Sequence, residues 1–315
     1  MRLRTVYRII GLLVLLLGSL GIWESLGAQE ERAIRRIVVA EREAAEAIRQ
    51  QVQQGASFSA LARAKSQGAE YTQWGYSGIV QVNEVQPAMR TALLQLQEGQ
   101  VSDVLPLDGQ FVLLKVISPK IARHLEAAER AENATQLPQA LQEIQSALKL
   151  EADNVQAYIK LGLVYQGMKQ FDEAIRSFDK ARQYAPQEAQ VALLAATALM
   201  HAAVDSRKAA QVEQALAAFQ QVVQLDGRYA PSADFGIGKL YLLALRQPAK
   251  AVSYLEKAAE AVPSVPDVHR LLIQAYYDTQ RYEQAWQSMR RAQDLGFDFP
   301  DLLAMLHKVK QHSQR

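Results

Sequence analysis

The sequence predicts a small α+β domain followed by an all-α solenoid of helical repeats. Three observations carry that prediction. Residues 33–118 alternate short β-branched runs with amphipathic stretches and close on a hairpin signal. From residue 140 onward an alanine returns at Ala140, Ala174, Ala215, Ala251 and Ala285, with separations of 34, 41, 36 and 34 residues. The composition is rich in Ala, Leu, Val and Gln, with only 16 Gly and 10 Pro in 315 residues, which favours helix and excludes a disordered or collagen-like chain.

Bulk charge removes further classes. Lys and Arg number 35 against 33 Asp and Glu, a formal net charge of +2, so the chain offers no basic field for nucleic acid. The absence of cysteine excludes disulfides, thiolate catalysis and Cys-based zinc sites. The first 28 residues stand apart: a basic run, MRLRTVYR, precedes an uncharged apolar stretch from Ile9 to Trp23. That pattern is an export signal. As a helix the stretch spans about 22 Å, short of the roughly 30 Å hydrocarbon core, which fits a cleavable signal, with Ser25 and Gly27 at the small-residue positions. Trp23 at its end fits an uncleaved anchor in the inner membrane instead. Both readings place everything after residue 28 in the periplasm or its equivalent.

Within residues 33–118, Arg36 to Val39 reads as a strand and Ala40 to Gln53 as a helix ended by Gly55. Ser57 is a helix N-cap for the FSALARAKS segment, where Phe58, Leu61 and Ala62 recur at helical spacing. An aromatic, Gly-punctuated stretch, YTQWGYSG, occupies 71–78, and QPAMRTALLQL at 86–96 is a third helix. VSDVLPL and QFVLLKV form a hairpin across Asp108-Gly109. RRIVV, QQGASFSALARAKS, WGY, QPAM, LQEGQVSDVLPLDGQ and FVLLKV follow one another as they do in the parvulin family of peptidyl-prolyl cis-trans isomerases, which this segment resembles throughout.

The resemblance implies an apolar socket for a proline ring and a polar network around a twisted amide, whose uncatalysed rotation takes tens to hundreds of seconds. The socket candidates are Val85 and Met89 on either side of Pro87, with Trp74 and Phe111. The network is where this chain departs from the family: the first-strand histidine corresponds to Arg36, the acidic or thiol residue before the glycine-aromatic turn to Gln73 or a neighbour, and the last-strand histidine to Val112. No histidine occurs between residues 29 and 123. The expectation is therefore a domain that holds peptide without catalysing, with an active isomerase as the alternative.

Residues 121–298 carry the repeats. In AYIKLGLVYQGMKQFDEAIRSFDKARQYAP, the residues Tyr158, Leu161, Gly162, Tyr165, Phe171, Ala174, Phe178, Ala181 and Pro186 sit at the diagnostic places of the tetratricopeptide pattern, and the array resembles that family. Five helix pairs follow from the alanine spacing, with the added length of the third assigned to residues 201–214, and residues 299–315 form a capping helix. The resemblance implies a binding scaffold whose groove is lined by the first helix of each pair: Ile159, Leu163 and Gln166, then Phe235 and Lys239, then Arg270, Gln274 and Tyr277. Ile159, Leu163 and Leu193 stand where a carboxylate clamp needs Lys and Asn, so a mixed apolar and polar groove for protein segments is expected. His124 and His269 take bulky packing positions, and no metal, nucleophile-elbow or phosphate-loop motif occurs. No catalytic residue, cofactor or metal is expected. The reading is an exported chaperone or assembly factor with protein or peptide partners; a scaffold subunit of an envelope export complex is a further alternative.

Overall fold

A computed structural model describes residues 30–312, with side chains through Val309. The export signal expected over residues 1–28 lies outside the described residues. The chain divides into two compact units between Lys120 and Ile121.

The first unit is a four-stranded antiparallel sheet with helices on both faces. Its elements run β1 (Glu31–Val39), α1 (Arg42–Gln53), α2 (Phe58–Lys65), a 3₁₀ turn (Ala69–Gln73), β2 (Tyr76–Gln81), α3 (Pro87–Gln95), β3 (Leu105–Leu107) and β4 (Gln110–Ile117), with strand order β2-β1-β4-β3. The first strand starts five residues earlier than its β-branched run suggests. Glu31 to Ala33 are recruited by pairing with β2, and Ala33 and Ile34 are buried, which composition alone does not reveal. Ser57 caps α2 by accepting from the Ala60 amide. Asp108 and Gly109 both have positive φ, 50° and 77°, the pair of left-handed residues that a two-residue hairpin requires between β3 and β4.

The sheet's two faces bury separate cores, and the register states which residue belongs to which. Ile34, Arg36 and Val38 on β1 stand opposite Val116, Leu114 and Val112 on β4. All of these except Arg36 join Val82, Met89 and Leu93 in the core beneath α3. The alternate residues Ile37, Val39, Phe111 and Leu113 pack with Ala45, Ile48, Phe58 and Ala62 beneath α1 and α2.

The second unit is helical: α4 (Pro119–Asn133), α5 (Leu137–Leu150), α6 (Val155–Gly167), α7 (Phe171–Tyr184), α8 (Ala189–Ser206), α9 (Ala209–Leu225), α10 (Ala230–Lys239) running into a π turn (Leu240–Ala244), α11 (Pro248–Ala261), α12 (Pro266–Asp278), α13 (Tyr282–Asp294) and α14 (Pro300–His312). Five turns join α4 to α5, α6 to α7, α8 to α9, α10 to α11 and α12 to α13. Each holds a residue with left-handed backbone: Thr135, Lys169, Arg207, Arg246 and Gln280. None is glycine, so the packing of the flanking helices imposes a conformation that these side chains disfavour.

Those turn residues show how the third pair takes up its added length. Lys169 to Arg207 spans 38 residues, four more than the 34 from Thr135 to Lys169; Arg207 to Ala215 spans 8, three more than Lys169 to Ala174. The additions therefore lengthen α8 before the turn and α9 after it, with the end of one and the start of the other inside residues 201–214. Four residues and three residues are each about one helical turn, so both helices keep their apolar faces in phase. In the fourth pair Gly238 to Ala251 is 13 residues against 12 from Gly162 to Ala174, and the π turn lies within this interval. Helix α8 is long and apolar enough to cross a membrane by composition, yet over half of it is buried, against its neighbours α7 and α9.

Close approach within pairs depends on small residues. A Cβ on Gly162 would meet the Phe178 ring at 2.5 Å, and one on Gly238 would lie 2.8 Å from Leu255. Ala140, Ala174, Ala215, Ala251 and Ala285 are all fully buried on the second helices.

Candidate functional site

The face beneath α3 gathers four of the residues singled out in the first domain. Arg36 and Val112 share it, two residue pairs apart along the β1–β4 ladder, a diagonal separation of about 7–8 Å. Met89 and Val85 belong to the same apolar cluster. Val112 is 5% exposed and its methyls are spent on core packing, so this position offers no proton-transfer group.

The remaining candidates lie elsewhere. Phe111 points to the opposite face, among Ile37, Phe58 and Leu113, because side chains alternate along β4 and Phe111 is one residue out of register with Val112. It is not brought to Met89. Trp74 is buried with left-handed backbone; its carbonyl accepts from Arg35 Nη1 at 2.8 Å, and its ring lies 5.9 Å from the Arg63 guanidinium. Gly75 beside it must lack a side chain, since its φ is +81° and a Cβ would sit 2.6 Å from that of Ala62.

Gln73 is exposed and takes no part in the site. The acid is Glu70, at the start of the 3₁₀ turn, three residues earlier. Its side chain is 4% exposed and lies against Arg36: Nε is 3.0 Å from Oε1, close but misaligned for a hydrogen bond, and Nη2 donates to Oε2 at 3.2 Å. A Cβ on Gly68 would collide with this carboxylate, so the glycine makes its room. The backbone holds the turn against the strand: Arg36 N donates to Gly75 O, Gln67 N to Val38 O, and Gly75 N to Glu70 O. Glu70 is obscured in the sequence by the shortened segment between α2 and the WGY turn; the signal that could have found it is Gly68 two residues before the segment's one acid.

In the repeats, the first helices present the groove candidates unevenly. Leu163 is 41% exposed, Ile159 and Gln166 are half-buried, and Phe235 and Tyr277 pack against the core of the last two pairs. Arg270 is engaged by Asp301 on α14, Nη1 donating at 3.2 Å, while Gln274 donates to Asp278 at 2.7 Å. Lys239 lies near His201, whose pKa is pushed down by burial and then by that cation. His269 is buried and hydrogen-bonds the Pro263 carbonyl through Nε2 at 2.9 Å, a packing role. Burial, then the hydrogen bond to Glu256, pushes the Tyr276 phenol up to about 12. Among the described residues no group of acids and histidines could hold a metal ion.

A sheet with one such polar pair, joined in sequence to stacked helix pairs, defines a two-part protein: a parvulin-type domain and a repeat array. Residues 25–131 match the family described as a PPIC-type PPIase domain, and residues 155–188 and 242–308 match tetratricopeptide repeat families. The chain thus carries a PPIC-type domain followed by tetratricopeptide repeats. No curated protein matches it. Among solved structures it is similar to the Pseudomonas aeruginosa pilF protein, at 19% identity over 62% of this chain and 86% of that one, with a TM-score of 0.51. A thermophilic tetratricopeptide protein of Thermus thermophilus matches at 19% identity over 60% and 97%, with a TM-score of 0.48. A MamA structure from Desulfovibrio magneticus matches at 16% identity over 57% and 97%, also with a TM-score of 0.48. At this identity the likeness to the pilF protein is one of fold.

Proposed function

We propose that this protein is a non-enzymatic, exported client-holding or assembly factor. In this reading the PPIC-type domain holds an extended protein segment and the tetratricopeptide groove docks a partner. Protein or peptide binding is the general use of such repeats. The observation that carries the non-catalytic part is the replacement of the polar network: an apolar Val112 in the core and an ion pair between Arg36 on the facing strand and Glu70 on the 3₁₀ turn. The basic-then-apolar run from Arg2 to Trp23 supports a periplasmic location, with an inner-membrane anchor as one form of it.

The runner-up is a working isomerase, favoured by the match of residues 25–131 to a PPIase family. An NMR exchange measurement on X-Pro peptides decides between them. With the full chain the cis-trans rate stays at the uncatalysed value. Acceleration well above that rate, lost in Met89→Ala, overturns the proposal.

A further inference from the structure

We propose that Arg36 is a carboxylate-binding residue of the PPIC-type domain, and that the segment it holds carries an acidic side chain or a free C-terminus. The inference rests on the client-holding reading above and names the chemistry that reading would select.

The geometry of the guanidinium carries it. Arginine has five N–H donors in a planar fork. Glu70 covers only the edge formed by Nε and Nη2. Nη1 and the second Nη2 hydrogen have no partner among the described residues, and 41% of the Arg36 side chain is open to solvent. This remaining edge is the one that accepts a carboxylate end-on with two parallel hydrogen bonds. Glu70 cannot turn to take it, because its own side chain is buried and Gly68 packs against the carboxylate.

The same pair pre-organises the site. A flexible surface arginine must give up rotamer freedom to bind, whereas this one is held at the mid-strand by a buried acid. The pair is neutral as a unit, so the preference it confers comes from the directional fork and favours a planar carboxylate over a diffuse anion. Lys115 faces the other side of the sheet, since it is one residue out of phase with Leu114, so β4 places no second cation here.

The test uses the full chain and three labelled peptides with one apolar, proline-containing core. The first has a central Glu and an amidated end, the second a central Gln and a free C-terminus, the third a central Gln and an amidated end. At least one carboxylate-bearing peptide should bind about tenfold tighter than the neutral one, and which one does so identifies the source. Arg36→Gln should bring it to the level of the neutral peptide measured on the same variant. Because that substitution leaves Glu70 buried without its cation, the double variant Arg36→Gln with Glu70→Gln is measured beside it and should behave alike. Arg36→Lys should lose most of the preference, since a point charge lacks the fork. Equal binding of all three peptides, or a preference that survives the double variant, overturns the inference and leaves the client-holding reading intact. Failure of every peptide to bind overturns both.

Discussion

The sheet domain and the helical array put sequence to different uses. In the array each helix packs on its neighbours in the chain, and changes in length stay local: seven added residues became one more turn on each of α8 and α9, and one more residue coincides with the π turn after α10. In the sheet the residues that meet come from β1, the 3₁₀ turn, α3 and β4, so a shift of a single position changes which face and which core a side chain joins. A repeat tolerates additions in units of a turn, whereas the site on the sheet tolerates none.

The most damaging change should separate the two regions. Phe178 is fully buried and fills the space in front of Gly162. Phe178→Ala should cost about 3–5 kcal/mol. Hydrogen exchange should then rise in α6, α7 and α8 while β1 and β4 stay protected. Loss of protection in the sheet would show that the two units unfold as one and would break the comparison.

A next step is a change of one carbon in the sheet. Gly75→Ala adds a Cβ at positive φ and 2.6 Å from Ala62, which should cost about 2–4 kcal/mol and push α2 from the sheet. Denaturant unfolding followed by Trp74 fluorescence checks it. A cost below about 1 kcal/mol would mean that this turn has room the structure does not give it.

How far the sequence spoke follows the same division. Gly162 and Phe178 meet within one helix pair, so a linear pattern displays the contact that counts, and the helical repeat array was legible. The order of strands and helices in the first domain was legible too, because turn residues such as Asp108-Gly109 and the Ser57 cap act locally. Its site was legible only in part. Arg36, Val112 and Met89 fall together since strand alternation and family order both place them. Phe111 misses by one position of that alternation. Family order points to Gln73 rather than Glu70 because the shortened segment folds into a 3₁₀ turn, whose path and burial no spacing rule conveys. Arg270, read as a groove residue, is taken up by Asp301 across 31 residues on α14, a long-range pairing of the kind that local patterns leave out.

Restoring the family residue sharpens the contrast between core and catalyst. Val112→His places an imidazole in the apolar cluster of Ile34, Val38 and Met89, at a cost of about 1–3 kcal/mol for burying its polar atoms. X-Pro exchange should remain at the uncatalysed rate, because Arg36 and Glu70 stay paired to each other. A gain of isomerisation would show that a single histidine is the whole deficit, and would return the domain to the enzymes.

The smallest effect concerns pH and the elongated third pair. His201 on α8 stacks on Phe171 with ring centroids 5.7 Å apart, and its pKa is lowered by burial and then by Lys239. The folded state therefore binds this proton less readily than the unfolded chain. The slope of stability with pH follows the difference in bound protons, unfolded minus folded, which is positive here; stability falls as pH drops through the unfolded value of about 6.5 and levels off once the folded ring is charged. The ring is only partly buried and is screened by solvent, so the loss attributable to it should be small. His201→Asn should flatten the array's stability between pH 7 and the acid side by that small amount, measured as exchange protection in α8 and α9, with β1 and β4 unchanged. An unchanged slope in the variant would assign the acid sensitivity of the array to its carboxylates. Glu132 and Asp234, both raised mainly by burial, would offset rather than cause a loss at low pH, because a raised carboxylate contributes its stability below its folded pKa.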